Sequence, residues 1–174
     1  MNRPFSRALG AVSVVELGGT MLSGCAVLGD GPLEVATGDA LCSTIAEDGA
    51  TLYLAVPLDN RDGADDAVIL KAWATDTENV ESVDCLVDAL GSFGSLEWPS
   101  DDEDVVATME SATEPGDDAV VPAGVHGTLL VAITPEDADE DAFVDEIAVT
   151  YRSGGHVHTV YSRMRVGLTV GDEC

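Results

Sequence analysis

Apolar and polar residues alternate along several short stretches of this 174-residue chain. Successive side chains of a β-strand point to opposite faces, so such alternation predicts strands with one buried face. In residues 51–58 the apolar side chains share one parity: Leu52, Leu54, Val56 and Leu58. The other predicted strands are residues 67–75, 80–90, 128–134, 144–152 and 156–170, and the pattern allows a short strand at 105–109.

Three of these stretches predict further local detail. Residues 128–134 are nearly all apolar, which favours a central strand covered on both faces. Acids follow Pro135 closely, which favours a short helical turn at residues 135–142. In residues 67–75 the alternation predicts one face with Ile69, Lys71 and Trp73 and an opposite face with Val68, Leu70 and Ala72.

The spacing of these strands indicates the fold class. Turn-forming residues, such as those at positions 59–63, separate the strands, and no stretch keeps a sustained helical periodicity. Several short strands between turns are typical of an all-β, antiparallel two-sheet sandwich of immunoglobulin-like architecture. The Cys–Trp–Cys core pattern of antibody domains is absent from the sequence, so this label describes architecture only.

The last hairpin is the most closely specified part of the chain. Gly154 and Gly155 suit a two-residue turn, because both central residues of such a turn need positive φ. A one-residue slip would turn the apolar side chains of the last strand to solvent. The predicted pairs are Ser153–His156, Tyr151–His158, Thr150–Thr159, Val149–Val160, Glu146–Arg163 and Phe143–Val166. A four-residue loop would keep this parity and shift every pair by two.

The first 25 residues have the layout of an export signal. Arg3 and Arg7 precede an apolar run at residues 8–22 that Glu16 interrupts, and the run ends in Leu22-Ser23-Gly24-Cys25. The segment resembles bacterial lipoprotein signals, which combine a basic start, an apolar core and small residues before a lipid-bearing cysteine. An N-terminal helix with an incidental cysteine is the alternative, although spanning a bilayer takes roughly 20 apolar residues.

The resemblance implies a division of the chain. Residues 1–24 would be a signal peptide, and Cys25 would be the lipid-bearing first residue of the mature protein. Residues 25–39, which are rich in small side chains, are predicted to form a flexible tether before an acidic β-sandwich domain at residues 40–174. This layout predicts a protein on the cell membrane, facing the outside, with the bilayer as its partner through the lipid on Cys25.

Acidic residues dominate the charge. The chain has 33 acidic and 7 basic residues, a net charge of −26. Such a chain repels nucleic acid and anionic lipid head groups, which excludes nucleic acid as a partner and leaves acyl chains to hold the protein at a membrane. The acids cluster between the predicted strands, which is typical of a folded β protein with solvated loops.

Three cysteines remain if Cys25 carries a lipid. An exported protein meets oxidising conditions, so we expect one disulfide and one free thiol. The predicted pair is Cys42–Cys174, which would close most of the domain into one loop and add about 4.7 kcal/mol in a chain-entropy model. Cys85 lies on the apolar phase of its strand and is expected to be a buried thiol, with Cys42–Cys85 as the alternative pairing.

The order of features in the last third of the chain is also informative. Val121-Pro122-Ala123-Gly124 leads into an apolar strand, and Ile147-Ala148-Val149-Thr150-Tyr151 is followed by a Gly-Gly turn, a last strand and a terminal cysteine. This order resembles a group of uncharacterised secreted or lipid-anchored proteins with immunoglobulin-like sandwiches. The resemblance implies the fold and carries no catalytic residues.

Two groups of side chains contain ligand types for metals. Asp137, Asp139 and Asp141 have the alternating spacing of a calcium loop, but Ala142 and Ala148 stand where that motif needs glycine and glutamate. We therefore expect a solvated acidic loop rather than a calcium site.

The histidines form the second group. His156 and His158 share a strand face, and together with His126, Met109 and Met164 they offer the nitrogen and sulfur ligands of a copper site. Nothing in the sequence brings those five side chains together. Packing of His158 against Tyr151 at the edge of the core would explain it without a metal.

No catalytic motif stands out in the sequence, which lacks a G-x-S-x-G elbow, an H-E-x-x-H motif and a P-loop. We therefore expect no enzyme, no metal and no cofactor. The predicted function is a non-catalytic, lipid-anchored envelope protein that acts as a binding or structural module with a protein partner. The alternative is a lipoprotein that handles calcium or copper, which a metal-dependent rise in melting temperature would distinguish.

Overall fold

The computed structural model describes residues 31–45, 50–91 and 94–171. The predicted signal peptide, Cys25 and Cys174 lie outside these residues. The described part contains eleven strands and one helix. They are β1 (Glu34–Val35), β2 (Leu41–Thr44), β3 (Thr51–Asp59), β4 (Ala67–Glu78), β5 (Val80–Asp88), β6 (Ser95–Trp98), α1 (Glu103–Ser111), β7 (Val120–Val121), β8 (His126–Pro135), β9 (Ala142–Ser153), β10 (His156–Ser162) and β11 (Val166–Thr169).

The strands form two sheets, which confirms the all-β prediction. The five-stranded sheet has the order β1-β3-β8-β5, with β6 also paired to β3. The six-stranded sheet has the order β2-β11-β9-β4-β7, with β10 also paired to β9. A purely antiparallel fold was the wrong expectation, because β2 and β11 pair in parallel. These two strands lie far apart in sequence, so no turn dictates their relative direction.

One hydrophobic core receives side chains from both sheets. The predicted face of β3 is confirmed, because Leu54, Val56 and Leu58 are fully buried and Leu52 packs against them. The prediction of a central strand is also confirmed, since β8 lies between β3 and β5 and its residues 127–133 are buried. Apolar runs covered on both faces become central strands because an edge would leave them in water.

A bulge in β4 changes the face predicted for one residue. The register with β9 shifts between Ile69 and Lys71, so Leu70 is an extra residue. Ile69 is fully buried, whereas the Lys71 ammonium lies over the ring of Trp73 on the other side of the strand. The expected common face of Ile69, Lys71 and Trp73 is therefore wrong for Ile69, since a bulge reverses the alternation after it.

The hairpin prediction is confirmed around the turn and wrong beyond it. Gly154 and Gly155 have φ of 55° and 79°, and the pairs from Ser153–His156 to Ile147–Ser162 follow the predicted register. The prediction of one long last strand fails, because the chain leaves β9 after Ser162 and β11 returns one residue out of phase. The Arg163 amide donates to the Ala36 carbonyl instead of continuing the ladder.

This shift removes two predicted cross-strand pairs. Val166 pairs with Val144 rather than with Phe143. Glu146 accepts a 2.7 Å hydrogen bond from the Thr75 hydroxyl on β4, and the predicted pairing of Glu146 with Arg163 is wrong. The register of β9 with β4 is also irregular at Glu146, which turns Val144 inward beside Val166.

Helical structure occurs at a different place from the one predicted. Residues 105–109, where a short strand was allowed, lie inside α1. The Asp102 side chain caps this helix by accepting from the amides of Asp104 and Val105, and acids occupy its first turn. The helical turn expected at residues 135–142 does not form, because the side chain of Asn79 bonds the backbone of that loop.

The N-terminal limit of the folded domain lies earlier than the sequence pattern suggests. Residues 31–39 were assigned to a flexible tether, yet β1 pairs with β3 and both Leu33 and Val35 are buried in the core. Leu33 also donates its amide to the Tyr151 hydroxyl at 3.1 Å. These residues belong to the domain because burying the apolar side chains of Leu33 and Val35 stabilises the folded state.

The described cysteines test part of the disulfide prediction. Cys85 is a free thiol, which confirms that it does not pair and excludes the alternative Cys42–Cys85 pair, although it is half-buried rather than buried. Cys42 lies in β2 opposite Gly167 of β11. Cys174 follows seven residues later, outside the described residues, so the Cys42–Cys174 disulfide stays a prediction.

Candidate functional site

Three neighbouring rows on one open face of the six-stranded sheet contain no acidic side chain, and Glu146 lies just beyond them. Residues directly opposite each other in neighbouring strands share a face of the sheet. Across β10, β9 and β4, the outward-facing rows are therefore defined by the strand registers. We call this surface the acid-free face, and its rows are Val157–Arg152–Val68, Thr159–Thr150–Lys71 and Tyr161–Ala148–Trp73.

Local backbone geometry sets which side chains reach this face. The two-residue glycine turn fixes the odd-numbered residues of β10 opposite the even-numbered residues of β9. The bulge at Leu70 then places Val68 and Lys71 on the same side of β4, although their positions differ by three. Without that extra residue, Lys71 and Trp73 would point into the core.

Two aromatic side chains flank the centre of the acid-free face. Ala148 is fully buried and has half-buried Trp73 on one side and Tyr161 on the other, the latter 46% exposed. The Lys71 ammonium lies 4.6 Å from the centre of the Trp73 ring, so a cation lies beside this aromatic row.

Polar and apolar groups complete the other two rows. The hydroxyls of Thr150 and Thr159 are 2.9 Å apart and hydrogen-bonded. Val157 is 40% exposed and lies beside the Arg152 guanidinium, which reaches Asp117 at the rim at 3.1 Å. The face therefore presents aromatic, β-branched and cationic groups together.

Arg165 forms a compact network of contacts at the end of the same sheet where β11 pairs with β9. Arg165 lies 3.7 Å over the ring of Phe143 and forms ion pairs with Glu78 at 3.1 Å and Asp145 at 2.9 Å. Gly167 makes room for Phe143, since a Cβ at Gly167 would overlap that ring. Two acids neutralise the basic group here, whereas Arg152 on the acid-free face meets one acid, Asp117.

Such a surface is unusual for this composition. With 33 acids in 174 residues, three adjacent rows of three side chains without one acid mark a surface of different electrostatic character. Exposed apolar groups are concentrated there as well: of the four large hydrophobic side chains that are exposed in the described chain, Val157 and Tyr161 belong to it. Exposed apolar groups rimmed by polar ones are typical of interaction surfaces.

The histidines do not come together with the methionines. The ring of His158 stacks on Tyr151 with centroids 5.2 Å apart, as predicted, and His156 lies 6.3 Å from His158. His126 begins β8 and faces Asp59, whose pKa the Arg61 guanidinium lowers to about 2. Met109 and Met164, from α1 and from the segment between β10 and β11, lie on other elements.

The acidic loop at residues 137–141 is held by protein groups. The Asn79 amide nitrogen donates to the carbonyls of Asp137, Glu140 and Asp141, and its oxygen accepts from the Asp137 amide. The Asp141 carboxylate accepts from the Val170 amide at 2.8 Å. Across the described ranges, no three metal-ligating side chains gather into a cluster.

Cys85 lies in a cleft of about 430 Å³ between β4 and β5. Burial, with a smaller effect of Asp84, raises the pKa of its thiol to about 12. The same two causes raise the pKa of Tyr53 on the cleft wall. A thiol with this pKa is protonated at neutral pH and is a poor nucleophile, because the thiolate is the reactive form.

Comparison with known proteins adds no family: no family model, no curated protein and no solved structure matches this chain. Among the described residues, no helix is both long enough and apolar enough to cross a membrane.

Sequence analysis missed the acid-free face because its nine residues come from three strands. One local indication was available. Residues 156–165 contain two arginines, two histidines and no acid, in a chain where acids outnumber bases almost five to one. The contribution of β4 depends on the bulge at Leu70, and no motif marks that bulge.

Proposed function

We propose that this protein is a non-catalytic, lipid-anchored protein of the cell envelope that faces the outside and acts as a binding module through its acid-free face. The observation that carries the proposal is the concentration of Trp73, Tyr161, Lys71 and Arg152 on one open sheet surface of a strongly acidic protein. The lipid on Cys25 supplies the membrane attachment. A further protein of the envelope is the expected partner, and nucleic acid is excluded by charge.

Absence of catalysis is part of this proposal. The thiol in the cleft, Cys85, has its pKa raised to about 12 by burial and by Asp84, so it is not activated as a nucleophile. The histidine at the edge of the core, His158, packs on Tyr151. Both residues have a structural explanation, so the acid-free face is the better-supported site.

We further infer that the two sheets form a sandwich of immunoglobulin-like type closed by a Cys42–Cys174 disulfide. The shared core and the passage of the chain from β4 to β5 at Asn79 support the first part. The pairing of β2 with β11 supports the second, because it holds Cys42 close to the strand that leads to the C-terminus.

Metal handling, the alternative function, receives no specific support from the acidic loop or from the histidines. Addition of calcium or copper is expected to leave the melting temperature unchanged, whereas a metal that binds only the folded state would raise it.

Lipidation is tested by Cys25→Ser with Cys85→Ser as the matched control. Cells that produce each variant are given radiolabelled fatty acid, and the label and the location of the protein are measured. We expect Cys25→Ser to lose the label and to leave the membrane fraction or stay as an uncut precursor, while Cys85→Ser keeps the label. Unchanged labelling of Cys25→Ser would contradict the proposal.

A further inference from the structure

The first described residues are fixed against the hairpin that carries the acid-free face. Gly31 packs so closely on the Tyr151 hydroxyl and the His158 ring that a Cβ would overlap both. Leu33, almost fully buried, donates its amide to the same hydroxyl at 3.1 Å. The chain therefore enters the domain at the edge formed by β10, at a fixed position.

The distance from this position to the lipid is limited by chain length. Only residues 26–30 separate Gly31 from Cys25, the position proposed for the lipid. The six Cα–Cα steps from Cys25 to Gly31 span at most about 20 Å when fully extended. Gly31 and Tyr161 line the same groove of about 440 Å³, so the start of the described chain lies next to the acid-free face.

We propose that the acid-free face is the surface on which the domain lies against the lipid bilayer. This inference rests on the proposed lipid anchor at Cys25, and it names the bilayer, rather than a further envelope protein, as what the acid-free face of the proposed binding module contacts. The five-residue connection from Cys25 to Gly31 keeps one edge of the six-stranded sheet near the head groups. The surface next to that edge is then the one that meets the membrane.

The chemistry of the face suits the interfacial region of a bilayer. Tryptophan and tyrosine prefer this region because one part of the ring system is apolar and another part is polar. Lysine and arginine place their apolar stems along apolar surface and their charges at the head groups. Trp73, Tyr161, Lys71 and Arg152 provide these groups, and Val157 adds an exposed apolar side chain.

Charge favours the same orientation. Most of the surface carries acids that anionic head groups repel, so the domain would turn those surfaces away from the bilayer. Asp117, which pairs with Arg152, and Glu34, which lines the groove beside Tyr161, are acids at the border of the face. Glu146 also borders it, two residues before Ala148 on β9, and its carboxylate accepts from the Thr75 hydroxyl. None of the nine positions of the face itself is acidic.

The two tryptophans allow a direct test with the acylated protein. Trp73 is half-buried on the acid-free face, and Trp98, also half-buried, ends β6 in the other sheet. Trp98→Phe leaves Trp73 as the reporter, and Trp73→Phe leaves Trp98 as its matched control. Each variant is reconstituted in vesicles of phosphatidylcholine and phosphatidylglycerol whose acyl chains carry bromine. We expect several-fold stronger quenching of Trp73 than of Trp98.

A second experiment changes other side chains of the face and follows the same Trp73 quenching. Val157→Asp combined with Tyr161→Asp, on the Trp98→Phe background, is expected to remove most of the Trp73 quenching. Leu90→Asp, at a residue 84% exposed elsewhere in the domain, is the matched control and should have no effect. Circular dichroism confirms that each variant is folded.

The outcomes separate the two proposals. Protein that never takes up the acyl group refutes the anchor at Cys25. Acylated protein with equal quenching of both tryptophans, or with stronger quenching of Trp98, refutes the membrane orientation while the anchor stands. Either of these last results would mean that the acid-free face is open to a protein or glycan partner instead.

Discussion

Asn60 is the residue whose replacement tests the structure most sharply. It directly follows the last residue of β3 and is completely buried. Its side-chain amide nitrogen donates to the carbonyls of Asp65, Val121 and Pro122 at 3.0–3.1 Å. One amide group thus holds together two loops that are about sixty positions apart in the sequence.

Asn60→Asp keeps the shape of the side chain and exchanges the donor for a carboxylate oxygen. The buried Val121 carbonyl loses this donor, at about 1–3 kcal/mol. The carbonyls of Asp65 and Pro122 lose one of two donors, because the Ser153 hydroxyl and the Val125 amide also reach them. The new buried carboxylate adds a desolvation cost. We expect a loss of about 3–6 kcal/mol, a large share of the roughly 5–15 kcal/mol that stabilises a domain.

Asn79→Asp is the matched control. Asn79 makes the same three contacts to carbonyls, those of Asp137, Glu140 and Asp141, but at an exposed site where water can replace the lost donor. Its φ of 55° is tolerated by aspartate as by asparagine. We expect this variant to lose only about 1 kcal/mol.

Urea unfolding, followed by circular dichroism, measures both variants. With a slope of about 1–3 kcal/mol per molar urea, Asn60→Asp should lower the midpoint by more than about 1 M at an unchanged slope. Burial among carbonyls would raise the pKa of the new carboxyl in the folded state, so the deficit should shrink as the pH falls toward 4. Equal losses for the two variants would refute this account of Asn60.

Two further predictions concern Cys85 and the hairpin turn. Burial raises the pKa of Cys85 to about 12, whereas the pKa of an unfolded thiol is near 8.5. The free energy of unfolding should therefore be constant below pH 8.5 and fall by roughly 1 kcal/mol per pH unit above it, because the unfolded state then loses the proton that the folded state keeps. Cys85→Val should lack this pH-dependent fall. Chemical denaturation between pH 8 and 10 measures the difference, and identical slopes for both proteins would contradict it. Gly155→Val should lower the free energy of unfolding by about 1–2 kcal/mol, because φ is 79° and, with no atom near the new Cβ, the cost is conformational rather than steric. Gly155→Asn should cost much less, because asparagine tolerates this backbone conformation. Equal denaturation midpoints for the two variants would rule out a conformational cause.

The local pattern of apolar and polar residues was sufficient to predict the strands and the glycine turn. The alternation in β3 placed Leu54, Val56 and Leu58 in the core, and two consecutive glycines determined the register from Ser153–His156 to Ile147–Ser162. Both features depend on interactions between residues close in sequence, so no distant part of the chain has to be known. The helix α1 was also within reach, because Asp102 followed by acids is a recognisable start.

Packing between distant segments decided what the pattern did not. The bulges at Leu70, Thr75 and Asp145, the break after Ser162 and the parallel pair β2–β11 arise where strands must fit partners far away in sequence. Each reverses or shifts the alternation, and nothing in the local sequence marks its position.

The candidate site shows the same division. The sequence by itself determined the acidity of the chain, the alternation along each strand, the tight glycine turn and the cysteine at position 25. Only the tertiary structure assembled Trp73, Ala148 and Tyr161 into one row and fixed Leu33 beneath Tyr151. The physical reason is that a face of a sheet is a property of registers, and those registers are set by how well both sheets fill their common core.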